Sequence, residues 1–222
     1  MNTTELINHL TSQIGALSAT YQSSAAAADL YEAALWVVAV DSTRTAGASR
    51  VDIHGPTTPA GVPLPTFRTH PGSLWVGNFT YAVASFASTS EQCEIHLGVK
   101  VVGESGVAHE CDIAILEERE ARRSRAGSVH PRKSGLIASV EAKNYAASPG
   151  IGVGRSFIGL ATELGHPKSS LSFPAAGAPN LMRLLARRSS ECFDEGVPGG
   201  GGSAGLEANM ARLVRNWRAR QS

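Results

Sequence analysis

Apolar residues recur along this chain first at helical and then at strand intervals. Leu6, Leu10, Ile14 and Leu17 predict a weakly amphipathic helix over 4–22. The run AAAADLYEAALWVVAV at 25–40 joins strong helix formers to an apolar surface nearly all round, so a buried helix is expected. Residues 41–73 are rich in Thr, Gly and Pro, with HGPTTPAGVPLP at 54–65, and read as a long loop or a rim of short strands. The aromatic and β-branched residues of SLWVGNFTYAVASFA, 73–87, suit one or two strands.

The pattern then shortens to a period of two. In EIHLGVKVVG, 94–103, Ile95, Leu97, Val99 and Val101 alternate with His96, Gly98 and Lys100, as in a strand with two unlike faces. HECDIAIL (109–116) and LIASVEAKN (136–144) predict two more strands. The polar, basic segment between them, 117–135, is too long for a tight hairpin and is expected to be a mobile excursion. Phe157, Leu160, Ala161 and Leu164 predict a helix over 154–165, and SSLSFPA a fourth core strand. A helix opened by Pro179 is expected over 179–193. GVPGGGGSAG, 196–205, reads as a flexible linker. Beyond it Leu206, Met210, Leu213, Val214 and Trp217 share one stripe, with Arg212, Arg215 and Arg218 around it. The expected organisation is therefore one α/β domain over 1–195, a glycine-rich linker over 196–205 and a basic amphipathic helix over 206–222.

Composition narrows this picture. A chain of 222 residues with 42% hydrophobic and 18% charged residues suits one folded domain. No run of eighteen apolar residues and no basic-then-apolar leader is visible, so a cytoplasmic protein without membrane association is expected. Three cysteines, an odd and sparse set, fit a reducing compartment. The net charge of +1 hides an asymmetry. Residues 1–118 carry 4 Lys/Arg against 12 Asp/Glu, a sum of −8, and residues 119–222 carry 16 against 7, a sum of +9. A basic half can attract a polyanion.

The chemistry centres on SVEAKNYAA, 139–147. Alternation puts Ser139, Glu141 and Lys143 on one face of a strand that is otherwise apolar. Charged residues rarely sit inside a sheet unless they are paired or working. If the strands at 109–116 and 136–144 pair, Asp112 approaches Glu141 at one end of the sheet. Two adjacent carboxylates repel unless a cation lies between them, and Mg²⁺ prefers carboxylate oxygens while keeping several waters. A neighbouring lysine can orient a bound water or offset charge that develops as a phosphodiester is attacked.

The stretch CEIHLGVKVVGESGVAHECDIAIL, followed by SVEAKNYA, resembles the core of the PD-(D/E)xK nucleases, the restriction-endonuclease-like superfamily. Its pattern of an Asp on a second strand and (D/E)-x-K on a third is matched by Asp112, Glu141 and Lys143, although Cys111 replaces the proline. The resemblance covers about 94–175 and extends through the helix and strand that follow. It implies a mixed central sheet flanked by helices, and a Mg²⁺-dependent endonuclease in which Mn²⁺ can substitute, with Asp112 and Glu141 as metal ligands and Lys143 catalytic. It also implies DNA as partner and the pairing of two copies. A further acid on the helix that opens the core would be Glu32. Glu110 is another candidate for the ligand shell, read here as turned away from Asp112. Arg122, Arg123, Arg125 and Arg155 are the expected contacts to the nucleic-acid backbone. Beside this stands a second reading, a catalytically silent nucleic-acid-binding or interaction module on the same fold. The acidic N-terminal half, with its proline-rich segment, could serve an unidentified protein partner.

Other motifs fail on spacing. Cys93 and His96 fall on opposite strand faces, which disfavours zinc on Cys93, His96, His109 and Cys111. SPGIGVGRS at 148–156 lacks the third glycine of a dinucleotide fingerprint. Its glycines read as a turn, with Arg155 near a helix N-terminus.

Overall fold

A computed structural model describes residues 2–87 and 91–221. The helices are α1 (Thr3–Ile14), α2 (Ala19–Ser24), α3 (Ala27–Thr45), α4 (Glu118–Gly127), α5 (Ile151–Leu164), α6 (Pro179–Ala186) and α7 (Gly201–Ala219). The strands are β1 (Arg50–His54), β2 (Tyr81–Ser85), β3 (Gln92–Val102), β4 (Ala108–Glu117), β5 (Leu136–Ala142), β6 (Ser169–Ser172) and β7 (Glu191–Phe193). They form one mixed seven-stranded sheet in chain order. β1 to β5 pair antiparallel, and β5, β6 and β7 pair parallel. The change follows from the connections, since the links through α5 and α6 are helical crossovers, which return the chain parallel. The expected α/β class with a mixed, helix-flanked sheet is therefore present.

The buried helix expected at 25–40 is α3. Leu30, Leu35 and Trp36 are wholly enclosed, and the Trp36 indole N–H donates to the Ile95 carbonyl at 3.1 Å, anchoring α3 across β3. α7 lies beside it, burying the predicted stripe of Leu206, Met210, Val214 and Trp217 in the same core. Arg215 and Arg218 donate to the carbonyls of Thr45 and Ala46, at 3.2 and 2.8 Å, where cations complement the C-terminal end of α3. A second apolar cluster packs α4 and α5 on β3, β4 and β5 through Ala121, Leu164, Val99, Cys111 and Leu136.

Three expectations change. The segment 117–135 is not a loose excursion. Its first part is α4, and Glu120, 5% exposed, accepts hydrogen bonds from Arg123 and Arg132. Glu94, 2% exposed, takes Arg125 in a bidentate pair at 2.5 and 2.7 Å. The stretch 196–205 is not a flexible linker either, because α7 begins at Gly201. A Cβ on Gly202 would run into the Asp194 carbonyl, so that glycine serves close approach. Residues 191–193, expected to close a helix, are instead the edge strand β7. No described helix is long and apolar enough to cross a membrane.

Candidate carboxylate–lysine site

β4 and β5 hold a regular ladder from Ile115↔Ala138 to Ile113↔Val140. One step further the pairing stops, and Asp112 and Glu141 are the residues that would have come next. The lost ladder bond is replaced by a side chain: the Ala142 N–H donates to Asp112 Oδ2 at 2.7 Å. β3 is irregular at the same level. Gly98, between Leu97↔Ile113 and Val99↔Cys111, has φ +62°, a left-handed conformation that a side chain adopts only under strain. Leu97 and Val99 accordingly belong to different apolar clusters. The sheet thus opens around Asp112, freeing one carboxyl oxygen while the backbone restrains the other.

Lys143 follows the end of β5. Its backbone N–H donates to the Ser172 carbonyl at 2.9 Å, and its ammonium lies 2.6 Å from Glu141 Oε1. Burial works to lower the Lys143 pKa, but the hydrogen bond and charge of Glu141, with Asp112, outweigh it and hold the ammonium protonated. Burial also keeps Asp112 well above the ordinary carboxylate range. Glu141 pushes the same way, while the Ala142 N–H and Lys143 pull against them.

Glu32, in the second turn of α3, joins this group. Burial first, then the charge of Asp112, raises its pKa, with Asp29 and Glu110 adding and Lys143 opposing. Glu110 is raised by burial and by Glu141. The reading of Glu110 as turned away from Asp112 is corrected: two residues apart on β4, they share a face. The charges of carboxyl groups on α3, β4 and β5 thus act on one another, with Lys143 opposing them. Glu110 was identifiable from the period of two. Ser172, whose hydroxyl meets the Tyr31 hydroxyl at 3.2 Å, carried no local signal because the pair is 141 residues apart.

A cavity of about 310 Å³ adjoins the site, lined by Glu141 and Lys143 and by Gly152, Val153 and Ser156 from the first turns of α5. The 148–156 glycines thus bring a helix N-terminus beside the carboxylates, where backbone N–H groups favour an anion. Arg155 is exposed on that same turn. The other expected nucleic-acid contacts are not brought to the site. Arg122 pairs with Glu118 at 3.4 Å, Arg123 with Glu120 at 2.6 Å and Arg125 with Glu94 at 2.5 Å. They sit on α4, beyond the far end of β4, roughly 17 Å of strand from Asp112. The cysteines and histidines raised for zinc are otherwise engaged, as His96 bonds Glu94 at 2.8 Å and Cys93 and Cys111 are buried.

Among the described residues, no three His, Cys, Asp or Glu side chains stand close enough to form a metal cluster. The donor set still suits a hard divalent cation. Mg²⁺ needs only one or two protein carboxylates, completing its octahedron with water and substrate oxygens, and mutually repelling carboxyls gain from a cation among them. Compared with protein-family models, with curated proteins and with solved structures, the chain matches none.

Proposed function

We propose that this chain is a metal-dependent nuclease of the restriction-endonuclease-like type, hydrolysing phosphodiester bonds in DNA. The observation that carries the reading is the meeting of Asp112, Glu141 and Lys143 where β4 and β5 part, with the Lys143 ammonium 2.6 Å from Glu141 Oε1. The motif order matches that superfamily, and the mixed sheet flanked by helices agrees with it at the level of architecture.

Asp112 and Glu141 would hold Mg²⁺ or Mn²⁺, which supplies Lewis acidity to a phosphate oxygen and acidifies a bound water. The chain's own groups perform the rest. The Ala142 N–H orients the Asp112 carboxyl so that its other oxygen stays available. Lys143, kept protonated by Glu141, offers a donor to the attacking water or to charge growing on the phosphate. The first turn of α5 supplies backbone N–H groups beside the same cavity, and Arg155 a phosphate contact. Glu32, whose carboxyl is held above the ordinary carboxylate range by burial and the charge of Asp112, would add its charge once a cation offsets that of Asp112.

The test is cleavage of duplex DNA, single-stranded DNA and RNA with Mg²⁺, Mn²⁺ or EDTA, beside Lys143→Ala. Metal-dependent cutting of DNA that falls by about 10²-fold or more in the variant supports the reading. Salt-sensitive binding with no cutting of any substrate would replace it with a silent binding module.

A further inference from the structure

A cavity of about 420 Å³ opens at the other end of β5 from Lys143. Some 17 Å of strand separates the two sites. Its walls come from the end of β4, the start of β5, the turn before β6 and the last turns of α7. α7 contributes Arg212, Asn216 and Arg220, four residues apart along one exposed stripe. Lys168 faces them from the turn. We propose that this cavity binds a small phosphorylated molecule of nucleotide size, with its phosphate on Lys168, Arg212 and Arg220 and its apolar part against Leu136, Ile137 and Leu213.

The cations are arranged for a ligand rather than for each other. The Lys168 ammonium donates to the carbonyls of Leu136 and Lys133, at 2.6 and 3.3 Å, which fixes its position and leaves a third N–H to give. Among the described residues the side chains of Arg220 and Asn216 make no hydrogen bond or ion pair. Arg212 donates to Asn209 Oδ1 through one of its five N–H groups. Among the described residues of the wall the one acid, Glu117, already accepts from Arg119 at 2.5 Å and from the Trp217 indole at 3.1 Å. Burial, then the charges of Arg220 and Lys133, lower the Lys168 pKa against the pull of Glu117, so the group is short of negative charge.

The size of the cavity lies within the range of about 300–1,000 Å³ usual for small-molecule sites. A nucleic-acid backbone would need the basic track to continue, but the next arginines along α7, Arg215 and Arg218, are turned to the carbonyls of Thr45 and Ala46. The apolar wall gives a second, uncharged part of the ligand a place to lie, which inorganic phosphate alone would not use.

The experiment is titration calorimetry on the full chain at low salt with adenosine monophosphate, inorganic phosphate, adenosine and a single-stranded oligonucleotide. Adenosine monophosphate should bind more tightly than inorganic phosphate, and adenosine should not bind measurably. The double variant Arg212→Ala/Arg220→Ala, at two exposed positions, should weaken the monophosphate about tenfold or more, as loss of charge-assisted hydrogen bonds does. Its melting curve reports whether the fold is intact. Lys168→Met should weaken binding likewise, and Glu141→Gln should leave it unchanged. The proposal is overturned if neither phosphate compound binds at millimolar concentration, if the double variant binds the monophosphate as tightly as the parent, or if only the oligonucleotide responds to the substitutions.

Discussion

The Ala142 N–H donates to Asp112 Oδ2 at 2.7 Å, and the carboxyl thereby takes the place of a ladder carbonyl where β4 and β5 separate. One side chain both ends the β4–β5 ladder and is held at its opening. A group placed in this way is oriented by the main chain, so its removal affects chemistry more than folding.

Asp112→Asn keeps a carbonyl oxygen for Ala142 and removes the charge. Cleavage should fall by about 10²-fold or more, the usual scale for a group acting on developing charge, while the far-ultraviolet circular dichroism stays that of the parent. A folded variant that cuts at parental rate would remove Asp112 from the site.

The same substitution should raise stability in the absence of divalent metal. The folded pKa values of Asp112 and Glu32 lie above their ordinary values of 3.8 and 4.5. The folded protein therefore binds more protons than the unfolded chain above about pH 4. Metal-free stability should decline from these two groups as pH rises from about 4 toward 8. Asp112→Asn and Glu32→Gln should flatten that decline, and millimolar Mg²⁺ should restore most stability at the alkaline end. Thermal melts across pH, with and without Mg²⁺, read all three.

Glu94 behaves in the opposite sense. Burial would raise its pKa, but the hydrogen bonds of Arg125 and His96 outweigh that and hold it at about 2, below its ordinary 4.5. A depressed carboxyl contributes stability that is complete above about pH 4.5 and is lost as pH falls toward 2, on the order of 3 kcal/mol in full. Arg125→Ala leaves the buried charge with the His96 hydrogen bond and no guanidinium, and should cost about 3 kcal/mol at neutral pH. Glu94→Gln should cost less and remove the acid-side loss. Urea titrations at pH 7 and pH 3 separate the two.

Two neighbouring glycines of α7 should respond with opposite signs. A Cβ on Gly201 meets nothing nearer than Glu195 Oε2 at 3.8 Å, an ordinary contact. Gly201→Ala should stabilise by a few tenths of a kcal/mol, up to about 1, from helix propensity. On Gly202 a Cβ meets the Asp194 backbone, which cannot swing aside. Gly202→Ala should therefore lower the melting temperature, with a cost of about 1–3 kcal/mol as in other overpacked positions. Equal effects at both positions would show that the close approach to Asp194 is not maintained.

Much of this architecture was legible in local pattern. The buried run around Trp36, the alternation from Ile95 to Val101 and the stripe from Leu206 to Trp217 each determined an element, because burial demands a face of matching period. The strand position of Glu141 followed from the same rule, whereas Lys143, expected on that strand, lies just past its end. The sheet order, the helix at 118–127 and the start of α7 at Gly201 did not. α4 is polar, with Glu120 buried by pairing to Arg123 and Arg132, so no apolar stripe announced it. The glycines before Leu206 suggested flexibility, whereas packing against Asp194 needed the absence of a side chain.

The alternation alone places Asp112 on β4 and Glu141 on β5, since a period of two is a property of the chain. What stands beside them is set by the folded arrangement. It brought the charge of Glu32 in α3 to bear on Asp112, set the first turns of α5 beside the cavity that Lys143 lines, and committed Arg125 to the buried Glu94 beyond the far end of β4. Glu32 and Asp112, like Glu94 and Arg125, are residues tens of positions apart. The second pair is held by burying one charge against its opposite, which no local pattern of the chain records.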